Sequence, residues 1–270
     1  METDKEESRE KKRKRGKAVN TIIIIAALAV IAFCLYKIIP LILDYRNSAN
    51  TYDELSGEVV VNDEEEEEEE EEESWKTVLI DFDSLTAINE DVVGWIRFDD
   101  LEELPIDYPI LYSGDNSTYL RTDLYMQSVT AGSIFIEGLN SPYFDDYHTI
   151  IYGHNMRNET MFGTLKKYRL EEGFWEDHQY FTIYTQEKAM RFQIFSYEHV
   201  AADSTIYTVG FSPGDTYQEF IDTLVEGSMY DTGIVPDVED RIVTLSTCTS
   251  AGDDYRFVIH AVCVEEYYYE

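Results

Sequence analysis

The sequence predicts a mainly β domain with added helices, preceded by a single N-terminal transmembrane helix. Three observations support this prediction. An apolar segment near the N-terminus is long enough to cross a bilayer, and an acidic segment follows it. The rest of the chain consists of short apolar and aromatic runs separated by Gly, Asp, Asn and Pro, which is typical of a β-barrel or a β-sandwich with many turns.

The N-terminal segment has the composition of a signal anchor. Residues 9–17 are strongly basic, and residues 18–43 are almost wholly apolar, which is enough to span a bilayer core. Because basic residues flank the cytoplasmic end of a membrane helix, we expect residues 1–17 to be cytoplasmic and everything after residue 43 to be extracellular. A cleaved signal peptide is the alternative, but residues 37–43 offer no small-residue cleavage site.

The acidic segment is predicted to be a disordered linker over residues 44–75, because the consecutive glutamates Glu64–Glu73 repel one another. One folded domain is then expected over residues 76–270. The net charge of −34 excludes a nucleic-acid partner, since phosphate binding requires a positive face. The cysteines at positions 34, 248 and 263 imply no disulfide framework.

Candidate strands of the domain follow from the spacing of its apolar runs and turn residues. They are Val93–Phe98, Ile110–Tyr112, Ser133–Glu137, Thr149–Tyr152, Tyr180–Thr185, Ala189–His199, Arg241–Cys248 and Tyr255–Val264. Shorter helices are expected near Phe82–Asn89 and Met161–Tyr168.

The clearest helix is predicted from about Pro213 to Glu226, where apolar residues recur with the period of one buried helical stripe. Ser212 or Asp215 is expected to cap its first turn. Gly227 is expected to take the left-handed conformation after its last turn.

One cysteine is predicted to lie where two strands meet. Side chains alternate along a strand, so Thr244, Ser246 and Cys248 share a face and Cys248 emerges at the strand end. The next strand begins at Tyr255, and a connection this short fits an antiparallel pair, which makes Arg256 a neighbour of Cys248. A guanidinium beside a cysteine favours the thiolate and can donate hydrogen bonds to an oxyanion on an attacked carbonyl.

Such a site also needs a group that transfers protons. His154 is the best candidate among the five histidines, because it lies in a turn directly after a predicted strand. The other four are expected in acidic loops or along strands, namely His148, His178, His199 and His260.

These residues stand in motifs that resemble those of the sortase family. Thr244–Cys248 matches the Thr-Leu-x-Thr-Cys signature, Arg256 follows at a similar spacing, and His154 precedes it within Tyr152–Met156. The likeness extends from about Leu85 to Val264 and is greatest to class B sortases. It is carried further by Ile88–Ile96, Ile106–Pro109, Ala131–Phe135 and Met161–Leu165.

The resemblance implies a closed eight-stranded barrel that acts as a cysteine transpeptidase outside a Gram-positive cell. Cys248 would attack the carbonyl after the threonine of a C-terminal sorting signal, of Leu-Pro-x-Thr-Gly or Asn-Pro-x-Thr-x type, in a secreted protein. His154 would protonate the departing amine, and Arg256 would hold the oxyanion or the substrate backbone. An amine of a peptidoglycan precursor would then resolve the thioester.

The resemblance also implies that Thr247 lines the substrate groove, and Ser246 and Asn155 are predicted with it as substrate-binding residues. No cofactor and no metal is expected, and the class implies no calcium dependence. Two other functions are kept as alternatives. A hydrolytic cysteine peptidase would use the same three residues, and a catalytically idle, membrane-tethered binding module would keep the barrel alone.

Overall fold

The computed structural model describes residues 2–62, 71–249 and 252–269. It divides into two units, Met1–Asn47 and Ser48–Glu270. Most of the glutamate run and the loop after Cys248 lie outside the described residues.

The first unit is helical. It is the larger part of helix α1, which runs from Glu2 to Val59 and contains Pro40. By length and composition, the part of this helix from Ile23 onward is apolar enough to cross a membrane. The sequence prediction of one N-terminal helix of that kind is therefore confirmed.

The last turns of α1 belong to the second unit and differ from the predicted disordered linker. Residues 44–59 are helical, and Tyr52, Leu55 and Val59 are buried. Their spacing of three and four residues puts them on one helix face. The Tyr52 and Ser133 hydroxyls share a hydrogen bond of 3.2 Å, which ties this face to the rest of the unit. The segment folds because these apolar residues form one buried stripe. The prediction missed the stripe because the surrounding residues are mostly acidic.

A short hairpin-like pair follows. Strand β1 (Val60–Asn62) pairs antiparallel with β2 (Val78–Ile80). A 3₁₀ helix at Glu71–Lys76 lies before β2, and Trp75 within it is buried. Part of the predicted linker thus belongs to the fold.

The second unit is built around a closed barrel of eight strands. They are β3 (Val92–Phe98), β4 (Asp107–Leu111), β5 (Ile134–Ile136), β6 (His148–Tyr152), β7 (Tyr180–Tyr184), β8 (Lys188–Ala201), β9 (Ile242–Thr249) and β10 (Gly252–Tyr268). Their order around the barrel is β10-β8-β7-β3-β4-β5-β6-β9, and β9 pairs with β10 to close it. Neighbours are antiparallel except for β4–β5 and β6–β9, which are parallel. All eight predicted strands are present, with ends shifted by a few residues.

Helices cover the outside of the barrel. They are α2 (Phe82–Ile88), α3 (Lys167–Leu170), α4 (Phe174–Asp177) and α5 (Asp215–Glu226), with a further 3₁₀ helix at Thr205–Tyr207. The predicted helix at Met161–Tyr168 is mostly turns, and only its end enters α3. Helix α5 buries Tyr217, Ile221 and Leu224 in one cluster with apolar residues of β8, β9 and β10. Each such side chain stabilises the fold by roughly 1.5–3 kcal/mol through burial.

Both predicted ends of α5 are wrong in detail. Gly214 occupies the N-cap position, and no side chain caps the helix, so neither Ser212 nor Asp215 has that role. Gly227 has φ −75°, which is right-handed. A Cβ atom there would lie 2.8 Å from Glu198 Oε2, the end of a flexible side chain that can move aside.

Candidate active site

Three strands bring the predicted site residues together. Strands β6 and β9 run parallel, so their carboxyl ends lie at the same edge of the barrel, with Tyr152 paired to Ser246. Strand β10 runs antiparallel to β9, and Arg256 is the direct pairing partner of Cys248. His154 follows β6 at the same edge. The backbone of Cys248 is described within β9, whereas its side chain lies outside the described ones.

A pocket of about 250 Å³ opens at this edge. It is lined by Asn116, Leu120, Phe135, Tyr152, Gly153, His154, Ser246, Thr247 and Arg256. Four of the predicted site residues, namely His154, Ser246, Thr247 and Arg256, therefore share one cavity. Its wall combines apolar side chains with amide, hydroxyl, imidazole and guanidinium groups, which suits a peptide better than a purely apolar ligand.

The position of His154 depends on the glycine before it. A Cβ atom on Gly153 would lie 2.6 Å from both Ile134 Cδ1 and Phe162 Cδ2, so only glycine allows the chain to leave β6 at this point. The backbone N–H of Phe162 then donates to the carbonyl of His154 at 3.0 Å. The imidazole is half-buried. Burial, and next the charge of Arg121, lower the pKa of His154, which favours the neutral imidazole at neutral pH.

Arg256 is half-buried in the pocket wall, and its guanidinium donates to the carbonyl of Tyr255 at 3.1 Å. Its neighbour Thr247 is 3% exposed, and Thr247 Oγ1 has no hydrogen-bond partner within the described part of the chain. Ser246 Oγ shares a hydrogen bond of 2.9 Å with the Tyr207 hydroxyl. That contact anchors the 3₁₀ helix of Tyr207 beside the pocket.

Asn155 is the predicted site residue that the structure does not bring to the pocket. It does not line the cavity, and it forms an isolated β-bridge with Met161 instead.

Sequence reasoning missed Asn116, Leu120, Phe135 and Tyr207 as residues at or beside the pocket. Asn116 and Leu120 lie in the long connection between β4 and β5, and the part of it that contains them has no recognised motif. Tyr152 stood inside a recognised motif without an assigned role. The ring of Tyr152 stacks with that of Tyr207 at a centroid distance of 6.4 Å.

His148 was expected in an acidic loop, and this prediction is wrong. It is the first residue of β6 and is fully buried. Its Nδ1–H donates to the Thr208 carbonyl at 2.8 Å, and its Nε2 accepts from Thr244 Oγ1 at 2.7 Å. The acidic loop ends two residues earlier, at Asp146, whose carboxylate accepts from the backbone N–H of Ser141 at 2.7 Å.

Among the residues that the structure describes, no group of three or more His, Cys, Asp or Glu side chains could hold a metal ion.

Comparison with known proteins agrees with this geometry. A family model described as a sortase domain matches residues 100–264. The chain is 30% identical over 238 residues to sortase B of Staphylococcus aureus, a match that covers 88% of this chain and 92% of that protein. The crystal structure of sortase B from Bacillus anthracis in complex with AAEK1 has a TM-score of 0.69 and 32% identity, and the match covers 83% of this chain and 100% of that one.

A second solved structure is described as a Staphylococcus aureus sortase B–substrate complex. It has a TM-score of 0.62 and 31% identity, and the match covers 68% of this chain and 84% of that one. The closed barrel and these matches define the class of protein: the chain belongs to the sortase family of cysteine transpeptidases. Its relatives are sortase B proteins, so the resemblance to class B is confirmed. The chain is thus an enzyme, and the idle binding module is excluded.

Proposed function

We propose that this sortase cleaves a C-terminal sorting signal after its threonine, through a thioester on Cys248, and joins the protein to an amine of a cell-wall precursor. One observation carries the proposal. Arg256 is the direct strand partner of Cys248, and it lines the same pocket as His154. The related Staphylococcus aureus structure is described as a substrate complex, which supports a peptide in the matching pocket here.

The chemistry follows from the three side chains. The sulfur of Cys248 attacks the carbonyl carbon after the threonine, and its proton passes to the neutral imidazole of His154. The carbonyl oxygen becomes an oxyanion, which the Arg256 guanidinium stabilises with its charge and its N–H groups. The carbon–nitrogen bond then breaks, and the imidazolium returns its proton to the departing amine. A thioester on Cys248 is left.

The second half of the reaction reverses these roles. An incoming amine attacks the thioester carbonyl and gives up a proton to His154, while the carbon–sulfur bond breaks. The departing Cys248 thiolate takes that proton from the imidazolium, which restores the thiol and the neutral imidazole. The amide that forms joins the two substrates. Thr247 and Ser246, in the pocket wall next to Cys248, are proposed to contact the substrate. The signal is proposed to be of Asn-Pro-x-Thr-x or Leu-Pro-x-Thr-Gly type.

We further propose that residues 18–43 anchor the enzyme in the bilayer, with the basic residues 9–17 on the cytoplasmic side and the barrel outside the cell. The apolar part of α1 supports this arrangement. External protease added to intact cells should remove the barrel and leave a short N-terminal fragment. Full protection of the barrel in intact cells would contradict the proposed orientation.

Mass spectrometry tests the chemistry. The full chain in detergent is incubated with Leu-Pro-x-Thr-Gly and Asn-Pro-x-Thr-x peptides, with and without an amine. We expect an acyl adduct on Cys248 that the amine converts into a ligated product. Cys248→Ala should abolish the adduct, whereas the matched variant Cys263→Ala should retain it.

Two other outcomes would change the proposal. Adducts that release only the free acid, whatever amine is added, would make the enzyme a hydrolytic peptidase. Adducts that persist in Cys248→Ala would show that another nucleophile acts. The same panel identifies the signal, because the peptide with the highest kcat/KM names the preferred motif.

A further inference from the structure

Glu137 is a buried carboxylate directly behind the pocket. It follows β5 and is 8% exposed. Its backbone N–H donates to the Ile150 carbonyl at 2.9 Å, which holds it against β6. Neither the proposed reaction nor the sequence motifs assign this residue a role.

The carboxylate of Glu137 accepts hydrogen bonds from two residues that line the pocket. Asn116 Nδ2 donates to both oxygens, at 2.8 and 2.7 Å, and the Tyr152 hydroxyl donates to Oε2 at 2.8 Å. The backbone N–H of Leu139 donates to Oε1 at 3.3 Å. An ionised carboxylate only accepts, so every contact in this set has the matching polarity. Charge-assisted bonds of this kind are stronger than neutral ones.

The two pocket residues differ in how they are held without Glu137. Asn116 is exposed at the rim, in the connection between β4 and β5, and its Oδ1 accepts from the backbone N–H of Gly138 at 2.8 Å. Both ends of its amide therefore depend on the segment that begins at Glu137. Burial and the nearby Glu137 carboxylate raise the pKa of Tyr152, so its hydroxyl stays protonated and donates.

We propose that Glu137 is a positioning residue, which holds Asn116 and Tyr152 where they form the wall of the pocket that accepts the substrate peptide. This inference rests on the proposed function, because the peptide is taken to occupy that pocket. Glu137 does not touch the reacting atoms. Its effect is on peptide binding, and the reactivity of Cys248 is independent of it.

The test compares Glu137→Gln with Glu172→Gln, a control that removes one charge from an exposed glutamate. The amide in Glu137→Gln has the size of the carboxylate but turns one acceptor into a donor. In either orientation this donor faces Asn116 Nδ2, together with Leu139 N–H or the Tyr152 hydroxyl. We expect KM for the peptide to rise about tenfold and kcat to stay within about twofold. Glu172→Gln should leave both unchanged. An unchanged KM in a folded Glu137→Gln variant would overturn the proposal.

A rescue experiment separates positioning from general damage. Adding Asn116→Asp to Glu137→Gln restores a matched donor and acceptor, so KM should return to within about threefold of the wild-type value. Asn116→Asp alone places two carboxylates together and should raise KM at least as much as Glu137→Gln. Alkylation of Cys248 by iodoacetamide should proceed at the wild-type rate in Glu137→Gln and in Glu172→Gln. A loss of alkylation rate that parallels the change in KM would also overturn the proposal.

A third measurement does not depend on turnover. In Glu137→Gln, deuterium exchange should quicken at residues 116–118 and 138–139, with exchange elsewhere in the barrel unchanged. If the wild-type enzyme acylated no peptide, the proposed function would fall, and this exchange would still decide whether Glu137 holds the wall. Equal exchange in the variant and the wild type would overturn the positioning role.

Discussion

At the scale of single residues, the site depends on a few tight fits. The pairing of Arg256 with Cys248 and the turn at Gly153 place three chemically different groups at one barrel edge. Sequence alone indicates these groups, since each stands in a recognisable motif. Their meeting at one edge comes from the way β6, β9 and β10 pair.

The charge state of His154 should determine the acidic limb of the pH profile of kcat/KM. Burial and then Arg121 lower its pKa, so kcat/KM should fall only as pH drops through that lowered value, when the imidazole can no longer take the proton from Cys248. Arg121→Gln should move this limb to higher pH. The exposed Arg157→Gln is the control and should not move it. An identical limb in Arg121→Gln and wild type would contradict the electrostatic part of the argument.

Gly153 should tolerate no side chain. In Gly153→Ala the added Cβ meets Ile134 and Phe162 at 2.6 Å, so the free energy of unfolding should fall by roughly 1–3 kcal/mol. His154 should move with it, and turnover should drop further than stability explains. Gly57→Ala is the matched control, because nothing lies within 4 Å of its added Cβ. Urea titration compares the two, and equal stability would refute the packing argument.

At the scale of elements, the end of α1 and the start of β6 at His148 both differ from the sequence predictions. Both involve buried groups within stretches of acidic composition. Average composition predicted linker and loop, whereas individual side chains at helical or strand positions are buried.

The end of α1 should contribute to the stability of the second unit. Leu55→Ala removes a side chain that is 2% exposed and should lower the free energy of unfolding by roughly 2–4 kcal/mol. The exposed Glu54→Ala should change it by less than about 0.5 kcal/mol. Thermal or urea unfolding of the barrel provides the measurement. No effect of Leu55→Ala would restore the disordered-linker prediction.

A buried hydrogen-bond chain should make stability fall in acid. The Thr208 carbonyl requires His148 Nδ1–H, so His148 Nε2 accepts from Thr244 Oγ1, which in turn accepts from His260 Nδ1 at 2.8 Å. Burial lowers the pKa of His148 to about 3. The unfolded chain takes up this proton near the ordinary histidine pKa, of about 6.5, and the folded chain does not.

The direction of the pH effect on stability follows from that difference in proton uptake. Between pH 6.5 and about 3 the unfolded state binds more protons, so the free energy of unfolding decreases as pH falls, by at most about 1.4 kcal/mol per unit for His148. Unfolding measured across this range should show the slope, and His148→Asn should reduce it. His178→Gln, outside the chain of bonds, is the control. A slope unaffected by His148→Asn would contradict the assignment.

At the scale of the whole molecule, charge is the dominant feature. The chain has 55 acidic and 21 basic residues, and like charges that face one another destabilise a compact state. Salt screens this repulsion, since the Debye length shortens from about 30 Å at 0.01 M to about 8 Å at 0.15 M. The melting temperature should therefore rise with NaCl, and choline chloride should act alike. A melting temperature that falls with salt would show that local ion pairs outweigh the net repulsion.

The sequence by itself determined the class of fold, the apolar N-terminal helix, the eight strands and the identity of Cys248, His154 and Arg256 as site candidates. These follow from alternation, periodicity and motif spacing, which are local properties of a chain. Only the tertiary structure decided the strand order, the folding of Tyr52–Val59 against the barrel, and the meeting of Asn116, Glu137 and Tyr152 at the pocket. Those contacts join residues far apart in sequence, and their partners are chosen by packing and hydrogen bonding once the barrel closes.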